Sequence, residues 1–315
     1  AQGASAQNLF CPSGPPPQDH LGLIMATLMK QAEDKLKGGF LKSLLGGPNY
    51  DEAQDLFQQA ANQFKLAKDW EKAAEAFERC AYCAGKSQSS DQANFYQEAG
   101  HVLKKISVER ACGQYEQAIG LMSAAGKFSQ AGKLLMQMAE LREAESLQPG
   151  QVKEDYKRAA DMFELDDHSK SNYSKCMLKV AEFAANEGQF QEAIKIFESE
   201  GEKALGNNLL QYGAKEHFLK AGILHLAEGD SVSVNIAVEK YRNLDPRFAS
   251  AREGELLSSL AAAFEGGDVA AYEDKVFEYD SITKLTPWQT NFLLKAKDKM
   301  TGGALDGLGG GVDLT

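Results

Sequence analysis

Residues 126–135 read GKFSQAGKLL and residues 188–197 read GQFQEAIKIF. In both, an aromatic is followed by Ala three places on and by a large apolar residue seven places on: Phe128/Ala131/Leu135 and Phe190/Ala193/Phe197. The same pattern recurs at Tyr50/Ala53/Phe57, Trp70/Ala73/Phe77 and Tyr115/Ala118/Met122. Offsets of 3 and 7 place all three residues on one face of an α-helix. The small Ala lets a neighbouring helix approach, and the bulky residues fill the groove beside it. The residue before the Ala (Glu52, Lys72, Gln117, Gln130, Glu192) is polar and marks the solvent side. A breaker stands shortly before four of the aromatics: Asp69, Gly113, Gly126 and Gly188. Such a residue ends one helix and lets the next begin. A helix, a turn and a second helix recurring about every 35 to 40 residues indicate an all-α, tetratricopeptide-like solenoid, here with divergent repeats.

Working outward, residues 21–229 are expected to form this array of hairpins. Beyond Gly229 the helical segments are separated by Asp245-Pro246, Gly266-Gly267 and Thr286-Pro287. Residues 230–300 therefore read as a helical bundle capping the array. Residues 1–20 are polar, Pro/Gly-rich and aperiodic, and are expected to be a disordered extension. Residues 301–315 (TGGALDGLGGGVDLT) are too Gly-rich for a helix and read as a flexible tail.

The chain has 315 residues and a net charge of -11, which disfavours general nucleic-acid binding. Five cysteines, an odd number, do not suggest a disulfide framework, and free thiols in a reducing compartment are the simpler reading. The N-terminus lacks a signal-peptide pattern, and the apolar run 21–29 is shorter than the ~20 residues of a membrane span. A cytoplasmic protein is expected. Cys80 and Cys83 form a C-x-x-C without a second pair, so they read as buried small residues and no metal site is expected. Gly85-Lys86-Ser87 resembles the end of a P-loop, but Cys80 stands where its first Gly belongs and no strand precedes it. The five histidines show no ligand spacing. No catalytic constellation and no cofactor is expected; the chain does not read as an enzyme.

Three features carry a signal. In residues 38–47, GGFLKSLLGG, Phe40, Leu41, Leu44 and Leu45 crowd what should be a loop. Exposed loops seldom hold four such side chains, so a membrane-touching loop is one reading and a loop folded back on the array the other. Basic residues recur in successive hairpins: Lys68, Lys104, Lys105, Lys127, Lys133, Lys175, Lys179, Lys215 and Arg252. A stack can align such residues into a stripe favouring an elongated acidic partner; a generic solvated surface is the alternative. From Glu253 onward there are eleven Asp/Glu against five Lys and no Arg, so the two ends suit different partners.

The chain resembles the alpha-SNAP family of soluble attachment proteins of the membrane-fusion machinery. The resemblance runs from about residue 28 to 299, most specifically over residues 60–70 (AANQFKLAKDW), 172–182 (NYSKCMLKVAE), 209–221 (LLQYGAKEHFLKA) and 278–282 (EYDSI), and resumes at the last few residues. It implies a right-handed twisted solenoid of helical hairpins followed by a helical bundle. It further implies an adaptor that grips the SNARE four-helix bundle (syntaxin, SNAP-25-type and synaptobrevin-type helices) through a basic concave face. The matching residues are Lys127, Lys133, Lys175, Lys179, Lys215 and Arg252, with Lys68 and Lys104 as weaker matches. Phe40, Leu41, Leu44 and Leu45 would form a peripheral membrane contact. The C-terminal end, with Glu265, Asp268, Asp313 and Leu314, would recruit and stimulate the hexameric ATPase NSF for SNARE disassembly. The tail departs from the family in carrying only Asp306 and Asp313 before Leu314. The alternative reading is a tetratricopeptide-type co-chaperone scaffold binding acidic peptide tails; it requires clustered Lys/Asn pairs in tight consensus repeats, which are not visible.

Overall fold

The computed structural model describes residues 18–37, 47–146 and 149–302. Phe40, Leu41, Leu44, Leu45, Asp313 and Leu314 lie outside the described residues, as do nearly all of the expected N-terminal extension, the apolar loop and the tail. Among the described residues there are fourteen α-helices and no strand. In chain order they are α1 (Gln18–Leu36), α2 (Tyr50–Leu66), α3 (Trp70–Lys86), α4 (Gln92–Leu103), α5 (Val108–Ala124), α6 (Phe128–Ala144), α7 (Pro149–Glu164), α8 (Lys170–Asn186), α9 (Phe190–Leu205), α10 (Ala214–Glu228), α11 (Ser231–Leu244), α12 (Arg252–Gly266), α13 (Val269–Ile282) and α14 (Pro287–Met300). The chain divides into two compact units, Ala1–Leu134 and Leu135–Thr315.

The repeated pattern does what its spacing requires. Ala53, Ala73, Ala118, Ala131 and Ala193 have no exposed surface, and Phe57, Phe77, Met122, Leu135 and Phe197 are buried behind them. The polar residue before each Ala is exposed. Tyr50, Trp70, Phe128 and Phe190 are each the first residue of a helix and are half-buried there. Tyr115 is different. The break expected at Gly113 does not exist; α5 runs through it, and Tyr115 is fully buried in mid-helix. The start of α5 is fixed upstream by Ser107, whose hydroxyl accepts from the Arg110 N–H at 3.3 Å. An exposed helical glycine costs only about 1 kcal/mol relative to Ala. Burial of Ala111, Cys112 and Tyr115 around Gly113 outweighs that.

Three of the turns share one geometry. Two places before the aromatic, Lys68, Gly126 and Gly188 have φ of 58°, 71° and 80°. The next N–H reaches back five residues in each case: Asp69 to Phe64 at 3.0 Å, Lys127 to Met122 at 2.9 Å and Gln189 to Ala184 at 2.8 Å. This is the left-handed reversal that closes helix C-termini and that glycine tolerates best.

In the first unit each of α1 to α4 packs on the next helix in sequence. In the second, α7 to α10 do likewise, but α10 also touches α11, α12 and α14. Phe218, Leu219, Ala221, Ile223, Leu224 and Leu226 leave α10 buried almost all round, so the bundle is built on it. Phe218 stacks on Tyr241 with ring centres 4.7 Å apart, and Phe248 stands edge-on to both. The last helix returns to the hairpins. Trp288 of α14 packs on Phe197, Phe292 on Phe190, and the Trp288 indole N–H donates to the Glu182 carbonyl at 3.3 Å. Thr286 and Gln289 form a reciprocal capping box that fixes where α14 begins.

Two stability outcomes follow from these contacts. Lys68→Gly is expected to stabilise the chain by about 1 kcal/mol by relieving the left-handed turn, measured by urea unfolding. Gly201→Ala is expected to act in the opposite sense from an ordinary helical Gly→Ala change. A Cβ on Gly201 would sit 2.6 Å from the Phe218 ring, which the aromatic cluster holds in place. A loss of about 1–3 kcal/mol is expected in the same assay.

Candidate functional site

Helices joined by short turns and packed side by side must run antiparallel. In the first unit this puts the α2–α3 and α4–α5 turns at one end of the hairpins and the α5–α6 turn at the other. Lys68 stands in the first of these turns, Lys104 and Lys105 in the second, and Lys127 in the third; Lys133 lies on α6. The structure thus brings Lys68 to the same end as Lys104 and Lys105 and sets Lys127 at the opposite end. Lys68, Lys105, Lys127 and Lys133 are exposed and Lys104 is half-buried. None of these five has an acidic partner among the described residues. Two other lysines of the unit are engaged: Lys65 of α2 donates to Glu98 of α4 at 2.9 Å, and Lys35 pairs with Glu52.

In the second unit the candidate cations lie on α8, α10 and α12. Lys175, Lys179 and Glu182 follow at offsets of 4 and 7 and share one face of α8. Lys179 Nζ donates to Glu143 of α6 at 2.6 Å and lies 3.9 Å from Glu182. Glu182 in turn accepts from Lys220 of α10 at 3.0 Å. Lys215 Nζ is 3.0 Å from Glu253 Oε2 of α12, an ionic contact without hydrogen-bond geometry. Arg252 is exposed and donates to the Thr283 hydroxyl at 3.3 Å. Lys175 is exposed with no acidic partner among the described residues. The second unit therefore carries a ladder in which carboxylates compensate Lys179 and Lys215, and Lys175 stands outside it. Glu143 also accepts from the Tyr156 hydroxyl at 2.7 Å. Burial first, and this carboxylate second, push the Tyr156 phenol well above its usual range.

At the C-terminal end Glu265 and Asp268 flank the α12–α13 turn, and both are exposed. Glu265 accepts from the Asn235 amide at 3.1 Å. Asp268 caps α13, its carboxylate accepting from the Ala271 N–H at 3.0 Å, so a structural duty already holds it.

The sequence reading missed two things. The link between α9 and α10 exposes Leu209, Leu210 and Tyr212, at 88%, 56% and 69%, just ahead of Lys215. The signal was legible: large apolar residues crowded into a link, as in residues 38–47. The Arg247 guanidinium lies 5.6 Å from the centre of the Tyr212 ring. The compensating carboxylates were also missed, because their partners lie a repeat away and depend on register between helices.

Of the cysteines, Cys80, Cys83, Cys112 and Cys176 are buried and none of them is in a disulfide. Burial pushes the Cys83 thiol up to about 11 and that of Cys176 to about 12, keeping them protonated and unreactive. Among the described residues, no group of His, Cys, Asp and Glu could hold a metal ion, and no helix is long and apolar enough to cross a membrane. What these surfaces offer is cations, exposed apolar side chains and hydrogen-bonding groups on rigid helices, which is the chemistry of binding.

Comparison with known proteins agrees. The family model described as "Soluble NSF attachment protein, SNAP" matches residues 25–301. An alpha-soluble NSF attachment protein from Vitis vinifera is 40% identical over 270 residues, which are 85% of this chain and 91% of that protein. A beta-soluble NSF attachment protein from Bos taurus is 37% identical, covering 90% of this chain and 95% of its own. The alpha-soluble NSF attachment protein of Homo sapiens is 36% identical, covering 87% and 94%. With most of the length shared and one family model matching all but the first residues of the described helices, the chain belongs to the soluble NSF attachment protein family.

Proposed function

We propose that this chain is a non-enzymatic adaptor of vesicular fusion that grips the SNARE four-helix bundle and presents its C-terminal end to the ATPase NSF for SNARE disassembly. The observation that carries the reading is that five of the candidate cations are uncompensated. In a chain of net charge -11, Lys68, Lys105, Lys127, Lys133 and Lys175 are exposed without an acidic partner among the described residues. Exposed cations carried by packed helices lose little conformational freedom in docking beyond their own side chains, and they accelerate encounter with an acidic rod. Leu209, Leu210 and Tyr212, next to Lys215, add apolar area that such a partner would cover. Residues 38–47, with Phe40, Leu41, Leu44 and Leu45, supply a reversible hold on the membrane: burying one such side chain is worth about 1.5–3 kcal/mol. Glu265, Asp268, Asp313 and Leu314 form the NSF-facing end.

Two measurements test this. Lys133→Glu combined with Lys175→Glu is expected to abolish binding to assembled SNARE bundle in a pull-down at moderate salt, with the thermal midpoint of the variant unchanged. Retained binding would remove the basic surface from the mechanism. Disassembly of SNARE bundle by NSF and ATP is expected with the wild-type chain and reduced with Leu314→Ala, whose bundle binding should stay intact. Equal disassembly by both would take the tail out of the NSF contact.

A further inference from the structure

The cations of the second unit are not equivalent, and the carboxylates beside them set the difference. Lys179 and Glu143 have side chains 39% and 35% exposed, so water is at hand to receive either charge if the pair opens. Lys215 is 41% exposed, but its partner Glu253 is only 12% exposed. The Glu253 oxygen facing Lys215 accepts no hydrogen bond. Withdrawing Lys215 would leave a nearly buried carboxylate without counter-charge, which is costly. Lys175, one turn before Lys179 on the same face of α8, has no such commitment among the described residues.

We propose that Glu143 and Glu253 are specificity-determining residues of this surface. They occupy Lys179 and Lys215 in the free chain, and a partner's carboxylate must displace the one at Glu143 to engage Lys179. The inference rests on the proposed grip on an acidic helical bundle. It ranks the contacts: Lys175 engages first, Lys179 engages by exchange, and Lys215 stays with Glu253. It also selects the partner's chemistry. Exchange at Glu143 is favoured by a partner that brings a carboxylate for Lys179 together with a cation for the freed glutamate, so a mixed-charge helical surface is preferred over a uniformly acidic one.

The test is a double-mutant cycle on the full chain, with affinity for assembled SNARE core bundle read by fluorescence anisotropy at low and high salt. Glu143→Gln keeps an acceptor for the Tyr156 hydroxyl and releases Lys179. Glu140→Gln removes the same charge from an exposed site one turn away on α6, where no acidic or basic partner is engaged. Glu143→Gln is expected to tighten binding about threefold or more beyond Glu140→Gln, a gain that disappears in a Lys179→Gln background and shrinks at high salt. An equal gain from the two glutamate variants, or a gain that survives Lys179→Gln, overturns the proposal. A second comparison needs no Glu143 variant: Lys175→Gln is expected to weaken binding more than Lys179→Gln, and the reverse order overturns the ranking. If neither lysine variant weakens binding, the basic-surface reading itself has failed, and the proposal fails with it.

Discussion

A helical hairpin has apolar surface on more than one side and can cover only one side by folding on itself. The rest must be covered by the hairpin that follows, and that requires two helices to come close along a line of small residues. Here the line is drawn by alanines with no exposed surface, each followed four places on by a large buried side chain. Every other feature inherits this constraint. The left-handed turns exist because the next helix has to start back along the last one, and the polar residue before each alanine is exposed because its neighbour points inward. Where the small residues give way to the bulky, nearly all-round apolar surface of α10, stacking becomes a bundle.

The same register governs charge. Residues about one repeat apart in sequence become neighbours across helices, so Lys65 meets Glu98, Arg110 meets Glu71, Lys179 meets Glu143 and Lys220 meets Glu182. Where both side chains stay open to water, as for Arg110 and Glu71, such pairs are each worth little. Their larger effect is to decide which cations are left over. A surface that is acidic in sum can still offer positive charge wherever the ladder has a missing carboxylate.

Much of this fold was legible in the sequence because it is local. An aromatic with Ala three places on marks a helix start at Tyr50, Trp70, Phe128 and Phe190, and the breakers Gly126 and Gly188 stand where the chain reverses. The pattern misled at Gly113, since a weak local breaker lost to the burial of its neighbours and to a cap six residues upstream. Lys68 was legible as a cation but not as the residue holding a glycine's place in a turn; only the backbone angle reveals that. The candidate site was legible in part: which lysines exist is a matter of sequence, whereas which are already spoken for depends on side chains reaching across from helices 33 to 39 residues away.

The contact between Trp288 and the Glu182 carbonyl joins residues 106 positions apart. Phe190 and Phe197 likewise find aromatic neighbours in α14. Hairpins otherwise complete themselves with whatever has just been synthesised, which favours fast, progressive folding. The second unit departs from that order. There α8 and α9 wait for α14, so Glu182 is made 106 residues before the tryptophan whose indole closes on it. In the interval the aromatic faces of α9 lack their α14 neighbours, and transiently exposed apolar surface of this kind is what makes incompletely folded chains prone to aggregate.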